Sequence, residues 1–131
     1  MSDHNQREVL TSTNAPKAVG PYSLGIRTGC FLFLSGQLGL DPKTEDFVEG
    51  GVEVQTRQAL LNIKNILQDA GSGLSDVVKT SVFLSDIEDF TKMNAVYAEF
   101  FNEDPPARST MAVGALPKLG LVEIEVIAKV S

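Results

Sequence analysis

The stretch Cys30-Phe31-Leu32-Phe33-Leu34-Ser35-Gly36-Gln37 decides how the rest of the chain is arranged. Its first five residues are apolar without alternation, the pattern of a strand covered on both faces, which predicts the centre of a sheet. Before it, Thr28-Gly29 suits a tight turn and Leu24 to Arg27 supplies a partner strand, so the two read as a hairpin. Cys30 reads as a small core hydrophobe, with no partner for nucleophilic or redox work. After it, Ser35-Gly36-Gln37 brings a hydroxyl, an unobstructed backbone amide and a side-chain amide to one sheet edge, either as a plain turn or as part of a polar recess.

Outward from that strand, Gly50-Gly51 leads into a helical pattern from Val52 to Ala70, with Leu60, Ile63, Leu67 and Ala70 on one stripe. Gly71-Ser72-Gly73 follows as a stop signal, and no glycine-rich loop of dinucleotide or Walker type is present. Asp76 to Leu84 alternates, placing Val78, Thr80, Val82 and Leu84 on one face of a third strand. Ser85-Asp86-Ile87-Glu88 has capping-box spacing and predicts a second helix reaching about Phe101, with Phe90, Met93, Tyr97 and Phe100 as its core stripe. Arg108 to Val113 and Leu121 to Val130 complete the strands, the latter with Val122, Ile124, Val126, Ala128 and Val130 inward. The order β-β-α-β-α-β-β predicts an α+β domain, a mixed sheet with two helices on one face. Phe31 or Leu32, Phe83, and Met111 or Ser109 are left pointing to the uncovered face, which predicts a homo-oligomer that buries it.

Composition narrows the function. A chain of 131 residues, 43% hydrophobic and 21% charged, predicts one globular domain over residues 15–131 with a flexible N-terminal segment over residues 1–14. No apolar run approaches the ~20 residues of a membrane span, and residues 1–14 lack the layout of a signal peptide, so a cytoplasmic protein is expected. A formal charge of −6 without a Lys/Arg cluster disfavours nucleic acid. One histidine, His4, and one cysteine, Cys30, leave no ligand set for a transition metal, and no cofactor is expected.

Several polar residues stand out. Pro105-Pro106-Ala107-Arg108-Ser109-Thr110 plants one guanidinium at the mouth of an apolar strand, with two prolines stiffening the approach. Such an arginine is either solvated or a two-pronged clamp for a carboxylate. Gly20-Pro21 fixes the chain path ahead of Tyr22, which either packs on the rim or lines a pocket. Ser35 does not read as a hydrolase nucleophile, because the nucleophile-elbow pattern and an ordered histidine base are both lacking. Glu123 and Glu125 sit outward on the last strand, as a solvated pair or as a carboxylate that orients water. Asn94 lies one turn from Phe90, and its half-buried amide needs partners.

Taken together, Gly20-Pro21-Tyr22-Ser23, Ser35-Gly36-Gln37, Asn62-Ile63-Lys64-Asn65-Ile66-Leu67 ending in Ala70-Gly71, Asp89-Phe90 with Asn94 and Tyr97, Pro105 to Ser109, and Val122 to Ala128 occur in an order that resembles the RidA/YjgF family from about Ala15 to Val130. The resemblance implies a chorismate-mutase-like fold and a homotrimer with clefts between subunits. It also implies hydrolysis of reactive 2-enamine and 2-imine acids, such as 2-aminoacrylate and 2-iminopropanoate, to 2-keto acids and ammonia. By that resemblance Arg108 grips the substrate carboxylate, Tyr22, Ser35, Gly36 and Asn94 shape the pocket, and Glu123 holds the water. Thr110 stands where many members have cysteine, keeping the backbone carbonyl but not a thiol. Two other readings remain open at this point: a non-catalytic sensor of small carboxylates using the same arginine, and an RNA-directed activity that the acidic balance disfavours.

Overall fold

Six strands and two helices form the regular structure of residues 6–131, the part described by this computed structural model. They are Arg7–Leu10 (β1), Gly25–Thr28 (β2), Phe31–Leu38 (β3), Val52–Asp69 (α1), Val77–Leu84 (β4), Phe90–Phe100 (α2), Ala107–Ala112 (β5) and Val122–Lys129 (β6). The sheet order is β1-β2-β3-β6-β4-β5, antiparallel throughout except for the parallel β4/β5 pair. A parallel pair needs a long crossover, and α2 supplies it. No described helix is long and apolar enough to cross a membrane.

The helices form where apolar residues recur every three or four positions. In α1, Ala59, Leu60, Ile63, Ile66 and Leu67 are buried, and in α2 Met93, Val96 and Tyr97. Gly71 ends α1 in the left-handed region at φ 80°, where a side chain would be strained, and Ser72 N–H returns to Leu67 O at 2.8 Å. The helix-facing side of the sheet supplies Leu32, Leu34, Val82, Leu84, Val122, Ile124, Val126 and Ala128 to one continuous core with both helices. Among the described residues the opposite side has only a small second cluster, where Phe83, expected on the bare face, packs with Phe47 and Val113 against buried Leu38, Leu40 and Leu116. Phe31 is 46% exposed, Phe33 42% and Met111 41% there.

The α+β order, the mixed sheet and the two covering helices match the sequence reading, and the differences are local. Arg7–Leu10, within the segment expected to be flexible, pairs with β2 as an edge strand; its run Arg-Glu-Val-Leu is too short and polar to announce a strand. Residues 1–5 and their expected flexibility, together with His4, lie outside the described residues. Cys30 is an exposed turn residue, not a core hydrophobe. The hairpin turn falls on Gly29-Cys30, one residue later than expected, with Gly29 at φ 58°. Val78 is exposed because the register slips between Val77 and Lys79, so Val77 takes the inward position instead. The capping box does not form: Asp86 Oδ1 accepts from Glu88 N–H at 2.9 Å and opens a 3-10 turn, and α2 starts only at Phe90. Phe90 lies on the surface rather than in the core stripe.

Candidate functional site

Ser35, Gly36 and Gln37 do not follow the central strand as a turn; they lie within β3 at an irregularity between Leu34 and Gln37 in its pairing with β6. Such a bulge re-aims side chains. The Ser35 hydroxyl donates to Ser23 O at 2.6 Å and its N–H to Leu24 O at 2.9 Å, so Ser35 ties the Gly20-to-Leu24 approach to the sheet. That approach presents Tyr22, which is half exposed and whose hydroxyl accepts from Val19 N–H at 3.3 Å.

Gly36 is where β3 passes the Glu123 side chain. A Cβ at residue 36 would stand 2.8 Å from Glu123 Cδ, so a side chain there would push the end of Glu123 aside, and glycine lets the carboxyl lie against the strand. Burial raises the proton affinity of the Glu123 carboxyl, and the neighbouring Glu125 charge raises it further. Tyr22, Gly36, Gln37 and Glu123 line a cavity of about 190 Å³ whose other walls include Leu24, Leu38 and Leu40. Lys17, Glu45 and Lys118 stand at its rim: Lys17 N–H donates to the Glu45 carboxylate at 3.2 Å, and Lys118 Nζ to Glu45 O at 3.2 Å. A shallower groove shares Tyr22 with Ser23, Ser35 and Arg7.

Arg108 lies elsewhere. It pairs with Thr80, and Thr80 with Val126, on the helix-facing side of the sheet, whereas Glu123 pairs with Phe83 three residues along β4 on the other side. An odd spacing on a strand reverses the face. Within one chain, then, Tyr22, Ser35, Gly36 and Glu123 gather on one side of the sheet and Arg108, Asn94 and Thr110 on the other.

The second group is built between β5 and α2. Arg108 Nη1 donates to Asn94 Oδ1 at 2.7 Å, and the guanidinium carbon lies 4.6 Å from the Tyr97 ring centre and 5.6 Å from that of Phe90. No carboxylate among the described residues pairs with this half-buried cation. Thr110, two residues on along β5, has a buried hydroxyl with no hydrogen-bond partner. The cluster is a rigid, cationic, donor-rich edge suited to an anion; the cavity holds a carboxyl with raised proton affinity, suited to accepting and returning a proton.

Sequence reasoning missed the residues around these groups. Phe90 and Tyr97 flank Asn94 on one face of α2, a spacing present in the sequence but read as core packing; Asn94 itself was singled out, though it is exposed and not half-buried, its amide oxygen meeting Arg108 at the surface. Lys17, Glu45 and Lys118 converge from three separate loops and carry no local signal.

Comparison with known proteins places these residues in context. The family described as endoribonuclease L-PSP matches residues 12–130. A RutC family protein of Pyrococcus horikoshii is 54% identical over 93% of this chain and 97% of its own length. The 2-iminobutanoate/2-iminopropanoate deaminase of Bos taurus is 46% identical over 93% of this chain and 89% of its own. Among solved structures, RidA from the Antarctic bacterium Psychrobacter sp. is similar with a TM-score of 0.90 at 43% identity, covering 94% of this chain and 99% of that one.

Proposed function

The chain belongs to the RidA/YjgF family, the one described as endoribonuclease L-PSP, and from that premise we propose that it is a hydrolytic deaminase of 2-enamine and 2-imine acids. The observation that carries this reading is Arg108: a half-buried guanidinium held by an amide and two rings, with no carboxylate opposite it among the described residues. A planar fork so held fits the carboxylate of a small acid.

In the proposed reaction the substrate is clamped by Arg108, with Asn94 and Thr110 beside it. An enamine such as 2-aminoacrylate first takes a proton at carbon to give 2-iminopropanoate. The imine carbon, conjugated with the carboxylate, is already electrophilic, so no cofactor is called for. Water attacks that carbon as Glu123 takes one of its protons, the C=N π pair moves to nitrogen, and Glu123 delivers that proton to the nitrogen, giving the neutral carbinolamine. The carbinolamine then collapses: Glu123 takes the hydroxyl proton as the C–O bond becomes a carbonyl, the C–N bond breaks, and the same proton passes to the departing nitrogen, which leaves as ammonia. Tyr22, Ser35 and Gly36 shape the wall that aims the water.

Because Arg108 and Glu123 lie on opposite sides of one sheet, the proposed site is completed by a second copy, in a homotrimer that buries the bare sheet face in a cytoplasmic protein. The apolar exposure of Phe31, Phe33 and Met111 supports that assembly. An RNA substrate suits neither the charge of −6 nor a sequence without a Lys/Arg cluster.

The test supplies 2-aminoacrylate from a dehydratase and follows keto-acid release against a semicarbazide trap. The protein should accelerate release, and Arg108→Ala should lower that rate by roughly two to three powers of ten, the loss expected for a carboxylate clamp. Unchanged release with the parent protein, or near-parent turnover by Arg108→Ala, refutes the reading.

A further inference from the structure

Arg108 has five N–H donors and gives one of them, on Nη1, to Asn94. An unrestrained arginine side chain would lose rotamer freedom when it took up an acid, and that loss weakens binding. The structure removes much of this freedom in advance. Tyr97 lies 4.6 Å below the guanidinium carbon and is 5% exposed, so its ring cannot swing away. Its hydroxyl shares a 2.8 Å hydrogen bond with Thr80 Oγ1 inside the core, and Thr80 lies directly opposite Arg108 in the β4/β5 register. On the other flank the ring stacks against Phe101 at 4.8 Å, tilted by 42°. Phe90 closes over the guanidinium from one helical turn before Asn94, its ring centre 5.6 Å away.

Three side chains of α2 thus fix two properties of one cation: Asn94 its rotation in plane, Tyr97 and Phe90 the plane itself. A ring face attracts a cation and offers no hydrogen-bond acceptor in the plane, so the donors on Nη2 and Nε are left for an incoming ligand. A carboxylate among the neighbours would have neutralised the clamp; two aromatic rings hold it without doing so.

We propose that Tyr97, braced by Thr80, and Phe90 are positioning residues for Arg108, setting the guanidinium plane in which the substrate carboxylate is received. This rests on the deaminase reading and extends it to the residues behind the clamp. It separates two roles that a buried tyrosine combines, packing the core and aiming a charge. The clamp contacts a carboxylate that does not change charge during the reaction, so weakening it should act on substrate binding more than on the chemical step.

The experiment measures KM and kcat for 2-iminopropanoate, and equilibrium binding of pyruvate by calorimetry, for the parent, Tyr97→Phe, Tyr97→Leu and Phe90→Leu. Tyr97→Leu should raise KM and weaken pyruvate binding by about tenfold, between the ratios of an exposed and a desolvated cation–π contact, with kcat within about twofold of the parent. Tyr97→Phe keeps the ring and should restore KM to within about threefold. Phe90 is on the surface and its replacement leaves the core intact, so Phe90→Leu decides the matter even where Tyr97→Leu fails to fold; it should raise KM about threefold. A parent that turns over while Phe90→Leu and any folded Tyr97→Leu keep the parent KM and pyruvate affinity overturns the positioning role alone. A parent that neither turns over 2-iminopropanoate nor binds pyruvate overturns the deaminase reading and this one with it.

Discussion

Glu123 shows how one carboxyl links catalysis to stability. Its proton affinity is raised, first by burial and then by the charge on Glu125, so the folded protein holds that proton more tightly than the unfolded chain does. The carboxyl therefore contributes stability at pH values below the ordinary glutamate range, and the contribution is lost as pH rises through the raised value. Glu123→Gln should consequently melt above the parent at neutral pH and lose that advantage as the solution is brought below about pH 4.3, readable as melting temperature against pH. The same substitution should abolish turnover, a trade of stability against activity common to reactive sites. If the ionised Glu123 accepts the proton from water, the rate rises with pH through its titration. Glu125→Gln removes the like charge and should shift that acid limb modestly toward lower pH, because burial, the larger cause, remains. An acid limb that stays in place assigns it to a different group. Reading these residue types from the sequence was straightforward; their surroundings were not. The carboxyl's place against β3 depends on Gly36, far off in the chain, where an added Cβ would stand 2.8 Å from Glu123 Cδ.

Between elements, the join of β3 to α1 depends on a buried amide. Asn62 Nδ2 donates to Leu38 O at 3.2 Å and Leu40 O at 2.9 Å, and its Oδ1 accepts from Gln58 Nε2 at 2.9 Å, with the residue fully buried. Asn62→Leu keeps the volume but strands two carbonyls, at a cost of about 2–4 kcal/mol measurable by urea unfolding. A loss under about 1 kcal/mol would mean that water reaches both carbonyls. The helices and five of the six strands were legible because their apolar periods are clean, as Val122 to Lys129 shows, where every second residue is buried. What was not legible were departures from period: the bulge at Ser35 and Gly36, the slip that exposes Val78, and β1, whose pairing is decided by β2 and not by its own residues. Sequence patterns describe a regular strand, whereas an inserted residue is tolerated only where tertiary contacts reward it.

At the scale of the molecule, the separation of Arg108 from Glu123 carries the most weight. Motifs identified both side chains, yet which face each takes follows from strand order and register, and those are properties of the whole sheet. If the proposed trimer joins the Arg108 edge of one copy to the Glu123 cavity of the next, neither side chain serves the site of its own chain alone. Arg108→Ala and Glu123→Gln proteins should then each be inactive, and co-refolding them should restore function, because a junction with Arg108 from one variant and Glu123 from the other has both groups. In a three-membered ring every mixed assembly contains one such junction of three, and random mixing of equal amounts makes about three quarters of assemblies mixed, so about one quarter of parental activity should return. The measurement is the rate of 2-iminopropanoate hydrolysis after co-refolding, against each variant refolded alone. Activity that stays at the level of the separate variants, despite subunit exchange verified with a tagged copy, would show that the two groups do not act across a shared boundary.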